Sequence, residues 1–383
     1  MKTTCLSAVM LYLLLTLIPL VHAQLPSAGG YEAAPDELLL GSAPTWYYRS
    51  SAAETPTILE TRTVHTDEIA LVERARGFVE NGPAKAIALI NGRDLVWVGY
   101  KTGALADKRF ADLGLGKTIT SLMVGRAVCA GRLSLDTRAS EVVPELRNTD
   151  IGQATLRQLL TMTSGTWEGN ADSTIASHEQ TAAIRNGSMN LLQLVRSEKV
   201  SSANRSLLGT KRLPGEEFAY RSTDPLVLGI MLNRSTGMPY AKYVEQEILL
   251  PAGIQTPAII GQDHFGYGLA DGSVLMTLKD WARVAIWLRE RLDDQDCLSR
   301  YLEDASTTRV ANRTKKFGSA YDGYGYFIWT ENSRLRDSFW AMGYGGQRIA
   351  WNHHNRRIIV AFSSVENYMD ELYLLYRDWA ALP

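Results

Sequence analysis

Hydrophobic positions along the chain follow helical spacing first and strand spacing next. Over 67–80, apolar residues recur every three or four positions, which predicts an amphipathic helix. Two apolar runs follow at 86–90 and 95–98, joined by Asn91-Gly92-Arg93-Asp94. The Asn-Gly step favours a tight hairpin turn, so these runs predict neighbouring antiparallel strands.

The middle of the chain is predicted to be helical, and strand patterns return only near its end. A proline-free apolar segment over 116–130 predicts a buried helix that ends near Gly131. Further helices are predicted at 156–163, 189–195, 226–234, 240–250, 279–290 and 369–381, and late strands at 324–330, 339–342, 347–351 and 357–363. This order predicts an α+β fold whose antiparallel sheet is assembled from both chain ends. The sheet is flanked by N- and C-terminal helices, and the chain carries a large all-helical insertion.

The same pattern predicts the domain organisation. Residues 24–65 are rich in Ala, Pro, Ser and Thr and are expected to form an extended N-terminal segment on the surface. We expect 66–131 and 312–383 to form one α/β subdomain and 132–311 a helical subdomain. Residues 1–23 have the charge, apolar run and small-residue cleavage site of a signal peptide. They predict export to the periplasm or the extracellular space, with no stable membrane anchor after cleavage.

Composition narrows the classes of partner. The chain has 383 residues, 45% of them hydrophobic, which suits a globular protein with a large core. Its 40 basic and 41 acidic residues give no electrostatic footprint for nucleic acid, and a small-molecule or peptide-like substrate fits better. Cys129 and Cys297 could form a disulfide or remain two buried thiols. His353 and His354 are interpreted as turn residues, so neither a metal nor another cofactor is expected.

The segment 111–118, ADLGLGKT, matches two different chemistries. With Gly116, Lys117 and Thr118 it satisfies a relaxed phosphate-loop pattern. A phosphate loop, however, follows a strand directly inside a parallel sheet, and the preceding predicted strand ends near Val98. Nucleotide binding therefore stays a minor alternative.

Five segments in order support the other interpretation. They are 110–118 (FADLGLGKT, against F-x-S-x-S-M-A-K-S), 159–165 (LLTMTSG, against LLTHTSG), 214–222 (PGEEFAYRS, against PG-x-x-F-x-Y-S-N/S), 278–283 (LKDWAR, against A-R-D-L-A-R) and 343–347 (GYGGQ, against G-H-G-G-Q). On these segments the chain resembles the serine β-lactamase-like hydrolases. That family includes class C β-lactamases, penicillin-binding carboxypeptidases, esterases and 6-aminohexanoate-dimer hydrolases, and the resemblance is nearest to the last group.

The resemblance implies a β-lactamase/transpeptidase-like fold and a role for each matching residue. In this family a serine attacks a carbonyl, a lysine three residues later takes its proton, and a tyrosine relays that proton. Lys117 and Tyr220 match the lysine and the tyrosine, and Ser222 could bond to Lys117 or substrate, or cap its loop. The residues that match the substrate-binding strand, which also donates an oxyanion N–H, are Tyr344, Gly345, Gly346 and Gln347.

Gly114 occupies the position of the serine nucleophile. The covalent route is therefore unavailable at its usual place, while Ser121 lies a turn deeper and Thr118 faces another direction. Lys117 and Tyr220 could instead activate a water. Two hypotheses follow: an impaired hydrolase acting on an amide, ester or β-lactam carbonyl, or a non-catalytic ligand-binding pseudoenzyme.

Overall fold

A nine-stranded sheet forms the centre of the fold in the computed structural model, which describes residues 46–167, 178–204 and 209–383. The strands are β1 Trp46–Arg49, β2 Glu60–Thr61, β3 Ala84–Asn91, β4 Asp94–Tyr100, β5 Phe110–Ala111, β6 Ile259–Gln262, β7 Val274–Met276, β8 Val310–Ala311, β9 Tyr321–Tyr324, β10 Trp329–Asn332, β11 Phe339–Gly343, β12 Gln347–Trp351 and β13 Arg357–Ser363. The large sheet has the order β2-β4-β3-β13-β12-β11-β10-β9-β8. It is antiparallel except for the β2–β4 pair, and β13 pairs with β3, so both ends of the chain build it as predicted.

Helices surround this sheet and fill the middle of the chain. They are α1 Ile69–Glu80, α2 Gly116–Cys129, α3 Ala139–Val142, α4 Leu156–Leu160, α5 His178–Arg185, α6 Leu191–Arg196, α7 Glu198–Ser201, α8 Thr223–Thr236, α9 Tyr240–Val244, α10 Leu250–Ala252, α11 Leu278–Arg291, α12 Cys297–Ala305 and α13 Met369–Ala380. A π-helical segment, Glu245–Leu249, joins α9 to α10, and 3₁₀ turns lie at Gly103–Leu105, Pro144–Leu146 and Ile151–Gln153. Within the described ranges, no helix is both long and apolar enough to cross a membrane.

The central strands are buried on both faces. Helices α1 and α13 pack on each other and on β3 and β13, and α11 packs on the same two strands. Every residue of β13 is buried. These strands therefore appear in the sequence as continuous apolar runs instead of alternating ones.

The predicted all-helical insertion, 132–311, is not all helical, and its last two residues form β8 of the large sheet. Strands β6 and β7 lie inside it and form a second, four-stranded sheet with β1 and β5, in the order β1-β6-β7-β5. These strands are two to four residues long, too short for a periodic pattern to reveal them. Strand β5 ends at Ala111, the first residue of the 111–118 segment, and so lies closer to it than the predicted strand end near Val98. Strand β5 is antiparallel to its partner β7, however, whereas the strand that precedes a phosphate loop lies in a parallel sheet.

Helix α2 is enclosed by the insertion. It contacts α8, α9 and α12, and most of its residues are buried on every side. A disulfide joins Cys129, its last residue, to Cys297, the first residue of α12, which settles the alternative left open above. The opposite end of α2, its first turn, lies at one wall of a cavity. The proposed signal peptide and residues 24–45 lie outside the described residues.

Candidate active site

A cavity of about 1310 Å³ opens where α2, the start of α8 and the end of β11 meet. The sequence-predicted residues on its wall are Gly114, Lys117, Tyr220, Ser222 and Tyr344. Residues that are distant in sequence are therefore brought together as the resemblance implied. The remaining wall includes Lys315 to Tyr321, Arg348 and the start of α13.

Gly114 lies in a turn that only glycine adopts readily. Its φ is +125°, and the preceding Leu113 also has a positive φ of +45°. A Cβ added to Gly114 would lie 3.5 Å from Lys117 Nζ and 3.3 Å from the Met342 carbonyl oxygen. A side chain at this position would therefore face the lysine.

Lys117 is buried and held by protein groups. Its Nζ donates a hydrogen bond to the Asp271 carbonyl oxygen at 2.5 Å and lies 5.2 Å from the centre of the Tyr220 ring. Burial alone would lower the pKa of Lys117, but Tyr220, Asp271 and Asp112 outweigh it, so the pKa is raised above its usual value. The side chain is consequently an ammonium near neutral pH, which donates hydrogen bonds and does not accept a proton.

Tyr220 and Ser222 lie immediately before α8. The Tyr220 ring packs against Phe317 and Trp329, at centroid distances of 5.7 and 5.3 Å, which fixes its plane beside Lys117. Ser222 is the residue that precedes the first turn of α8. A hydrogen bond from Ser222 to the Asp271 side chain opposes the rise that burial causes in the pKa of Asp271. Ser222 thus acts on Lys117 through Asp271.

The four residues predicted to bind substrate differ in their placement. Tyr344 is 80% exposed at the tip of the turn between β11 and β12 and lines the cavity. Gly345, Gly346 and Gln347 do not line it. The Gln347 amide instead donates to the Tyr344 carbonyl oxygen at 2.6 Å and accepts from the Ser363 N–H, so it holds the turn together.

The backbone N–H of Tyr344 is already hydrogen bonded. It donates to the Leu113 carbonyl oxygen at 2.9 Å. An oxyanion hole requires an N–H that is free to meet the substrate oxygen. The turn at Leu113 and Gly114 therefore occupies the N–H of Tyr344, one of the four residues to which the resemblance assigned the oxyanion donor.

Two carboxylates beside the cavity were missed by the sequence analysis. Asp112 is 1% exposed, and its Oδ2 accepts the Gly116 N–H at 2.5 Å. Burial raises the pKa of Asp112 to about 7, although the hydrogen bond from Gly116 and the charge of Lys117 oppose the rise. Asp271, just before Gly272, is the second. For Asp112 a signal existed, because it stands where the family form has serine.

The alternative nucleophiles and the phosphate loop lose support in the same region. Ser121 Oγ lies 3.1 Å from the Tyr301 hydroxyl in the core, and Thr118 Oγ1 donates to the Phe327 carbonyl oxygen at 2.9 Å. The Asp112 carboxylate occupies the N-terminus of α2, where a phosphate would have to lie. Among the described residues no cluster of three His, Cys, Asp or Glu side chains could hold a metal ion.

A lysine on the first turn of a buried helix, facing a tyrosine and a sheet edge across a cleft, defines the β-lactamase/transpeptidase class of fold. A family model described as Beta-lactamase matches residues 73–382, and the chain belongs to this family.

Similar proteins bear hydrolase names. A 6-aminohexanoate-dimer hydrolase of Paenarthrobacter ureafaciens is 24% identical over 294 residues, 73% of this chain and 72% of that protein. A Bacillus anthracis structure provisionally assigned as a 6-aminohexanoate-dimer hydrolase has a TM-score of 0.69 at 20% identity, covering 87% of this chain and 90% of its own. A D-stereospecific amidohydrolase from Streptomyces sp. has a TM-score of 0.57 at 18% identity, covering 82% and 99%. These two structural likenesses establish the fold.

Proposed function

We propose that this chain binds a neutral carbonyl compound, an amide or ester, in the hydrolase cleft without forming an acyl-enzyme. The observation that carries the proposal is Gly114, whose missing side chain would point at Lys117 from 3.5 Å. Loss of the nucleophile in an enzyme of this kind costs on the order of 10⁶ in turnover.

The other two parts of the acyl-transfer machinery support the same conclusion. Lys117 has a raised pKa and is an ammonium, so it is a poor base for a serine or a water. The Tyr344 N–H is bonded to Leu113 and is not available to an oxyanion. The missing side chain at Gly114, the charge of Lys117 and the occupied Tyr344 N–H therefore all weigh against covalent catalysis.

The cleft itself supports ligand binding. It offers about 1310 Å³, somewhat above the roughly 300–1,000 Å³ of typical small-molecule sites. Lys117 and Tyr220 supply polar groups at its base, and exposed Tyr344 supplies an aromatic face at its rim. Such an arrangement favours a ligand with a hydrogen-bond acceptor at one end and an extended body.

Fluorophosphonate labelling and p-nitrophenyl butyrate hydrolysis test the absence of acyl-enzyme chemistry. We expect neither a covalent adduct by mass spectrometry nor hydrolysis that depends on Lys117. Binding is measured by calorimetry with the linear 6-aminohexanoate dimer, and Lys117→Met should weaken it at least tenfold. Lys101→Met is the matched control, because Lys101 bonds to the Gly82 carbonyl oxygen away from the cavity.

A labelled protein would overturn the proposal. Turnover of the dimer or the ester that disappears in Lys117→Met would favour instead an impaired hydrolase that uses water. No heat of binding with the dimer would also count against the retained cleft.

The disulfide between Cys129 and Cys297 supports the expectation of export, because such bonds persist mainly in oxidising compartments. We propose a periplasmic or extracellular location. Fractionation of the native host tests it, and a protein found wholly in the cytosol with both thiols reduced would contradict it.

A further inference from the structure

Asp112 is buried beneath the turn at Leu113 and Gly114, the position where the family form has its nucleophile. Its Oδ2 accepts the N–H of Gly116, the first residue of α2, and a second backbone hydrogen bond comes from Val274 of β7. Its Oδ1 has no hydrogen-bond partner among the described residues. One carboxylate therefore ties the start of α2 to the second sheet.

Glycines leave the room that this carboxylate occupies. A Cβ on Gly116 would overlap Asp112 Oδ2, and a Cβ on Gly343 would overlap the Asp112 carbonyl oxygen. A Cβ on Gly272 would lie 2.5 Å from the Gly114 nitrogen and 3.4 Å from Asp112 Oδ2. The Asp112 side chain thus has room only because residue 116 is glycine. Gly116 and Asp112 stand where the family form quoted above has alanine and serine, so both positions depart from it in a mutually compatible way.

Asp112 also takes part in the charge balance around Lys117. The titratable groups that interact most strongly with this pair are Asp271, Tyr220 and Tyr240, and the wall of the same cavity also carries Lys315, Lys316, Arg348, Glu366, Asp370 and Glu371. Burial raises the pKa of Tyr240, and the two aspartates raise it further. Above pH 7, where Asp112 is ionised, its carboxylate and that of Asp271 therefore balance the positive charge of Lys117 inside the protein.

We propose that Asp112 is a positioning residue that fixes Lys117 as a hydrogen-bond donor and makes the cleft select neutral carbonyl groups over carboxylates. Above pH 7, where Asp112 is ionised, a carboxylate placed against Lys117 would be brought close to two internal carboxylates in a region of low dielectric, where like charges repel strongly. An amide or ester oxygen accepts the same hydrogen bond without adding a charge. The ligand selectivity rests on the proposed function, whereas the positioning role does not.

The first test follows the titration of Lys117 by ¹³C NMR of the lysine ε-methylene groups, with Lys117→Arg used for assignment. In Asp112→Asn we expect the midpoint of Lys117 to move to lower pH, because one carboxylate is removed. Asp263→Asn is the matched control: Asp263 is also fully buried and also accepts backbone N–H groups, from Leu191 and Tyr267. An unchanged Lys117 midpoint in Asp112→Asn, or an equal shift in the control, would overturn the positioning role.

The second test measures the dependence between positions 112 and 116, and it holds even if Asp112→Asn folds poorly. Gly116→Ala should lower the melting temperature by several degrees in the parent, because its Cβ meets Oδ2. In Asp112→Ser the same change should have little effect or be stabilising, since alanine is the better helix former. Equal losses in both backgrounds would contradict the dependence.

Selectivity is measured with hexanamide and hexanoate, two probes that differ only at the carbonyl end. The Lys117 ε-carbon signal of the parent should respond to hexanamide at least tenfold more strongly than to hexanoate, and Asp112→Asn should narrow that ratio. A preference for hexanoate, or no response to either probe, counts against the selectivity. Conversion of hexanamide to hexanoate would refute the proposed function alone, since the ratio of initial responses is recorded before turnover.

Discussion

Placing a serine at position 114 is not expected to produce acyl-enzyme catalysis on its own. Gly114 has a φ of +125°, and holding a residue with a side chain in such a region costs about 1–3 kcal/mol. We therefore expect Gly114→Ser to lower the melting temperature by roughly 2–6 °C. Its hydroxyl would meet an ammonium at Lys117, and the Tyr344 N–H would still be bonded to Leu113. A missing oxyanion donor alone costs about 10²–10³ in rate.

The matching experiment compares three variants in p-nitrophenyl butyrate hydrolysis and fluorophosphonate labelling. Gly114→Ala carries the same backbone strain without a hydroxyl and is the control. The hydrolysis rate of Gly114→Ser should equal that of Gly114→Ala. The combination of Gly114→Ser with Asp112→Ser and Gly116→Ala, which matches the family form at three positions, should exceed both rates by about 10²-fold or more. Rapid labelling of Gly114→Ser alone would refute the reasoning, because the turn would then be compatible with a working nucleophile.

Three further predictions concern stability. Asp112 has a pKa near 3.8 when unfolded and about 7 when folded, so the native state binds the extra proton and its stability falls as pH rises from about 4 to 7. The free energy of unfolding in urea should fall by about 4 kcal/mol over this range relative to Asp112→Asn, which lacks the titrating group. Parallel curves of unfolding free energy against pH for parent and variant would contradict this. Burial would raise the pKa of Glu68, but Arg62, the His65 N–H and Arg357 outweigh it and lower the pKa to about 2. The contribution of Glu68 to stability is therefore present above pH 4.5 and lost as pH falls toward 2. Glu68→Gln should cost about 3 kcal/mol at pH 7 by urea unfolding and little at pH 2. The Cys129–Cys297 bond closes a separation of 168 residues, and replacing both cysteines by serine should cost about 3–5 kcal/mol in the same assay; equal midpoints for parent and variant would argue against a stabilising bond.

Local sequence signals were sufficient for much of the fold. The Asn-Gly turn placed β3 beside β4, and the pairing of Ile90 with Leu95 and of Asn91 with Asp94 confirms that hairpin. The start of α2 was predicted at Gly116, where the structure has it. A long segment with regularly spaced apolar residues can be recognised without tertiary information, because the spacing depends only on which face of that segment is buried.

Short or irregular elements were not predictable in the same way. The predicted strand over 324–330 is two strands, β9 and β10, separated by a tight turn in which Phe327 has a positive φ of +55°. The second sheet escaped notice because β5 pairs with β7, more than 160 residues away, and neither is longer than three residues. Strand pairing across such a sequence separation depends on the tertiary fold that brings the two strands together, and no local sequence pattern predicts that.

The sequence by itself determined which groups the candidate site has: a lysine and a tyrosine in family positions, and no side chain at Gly114. Only the tertiary structure decided what those groups do. The charge of Lys117 depends on Asp112, Asp271 and Tyr220, which converge from three parts of the chain. The Tyr344 N–H is occupied because a turn some 230 positions earlier presents a carbonyl oxygen to it. Protonation and hydrogen bonding depend on distances of a few ångströms, and those distances exist only once the chain has folded.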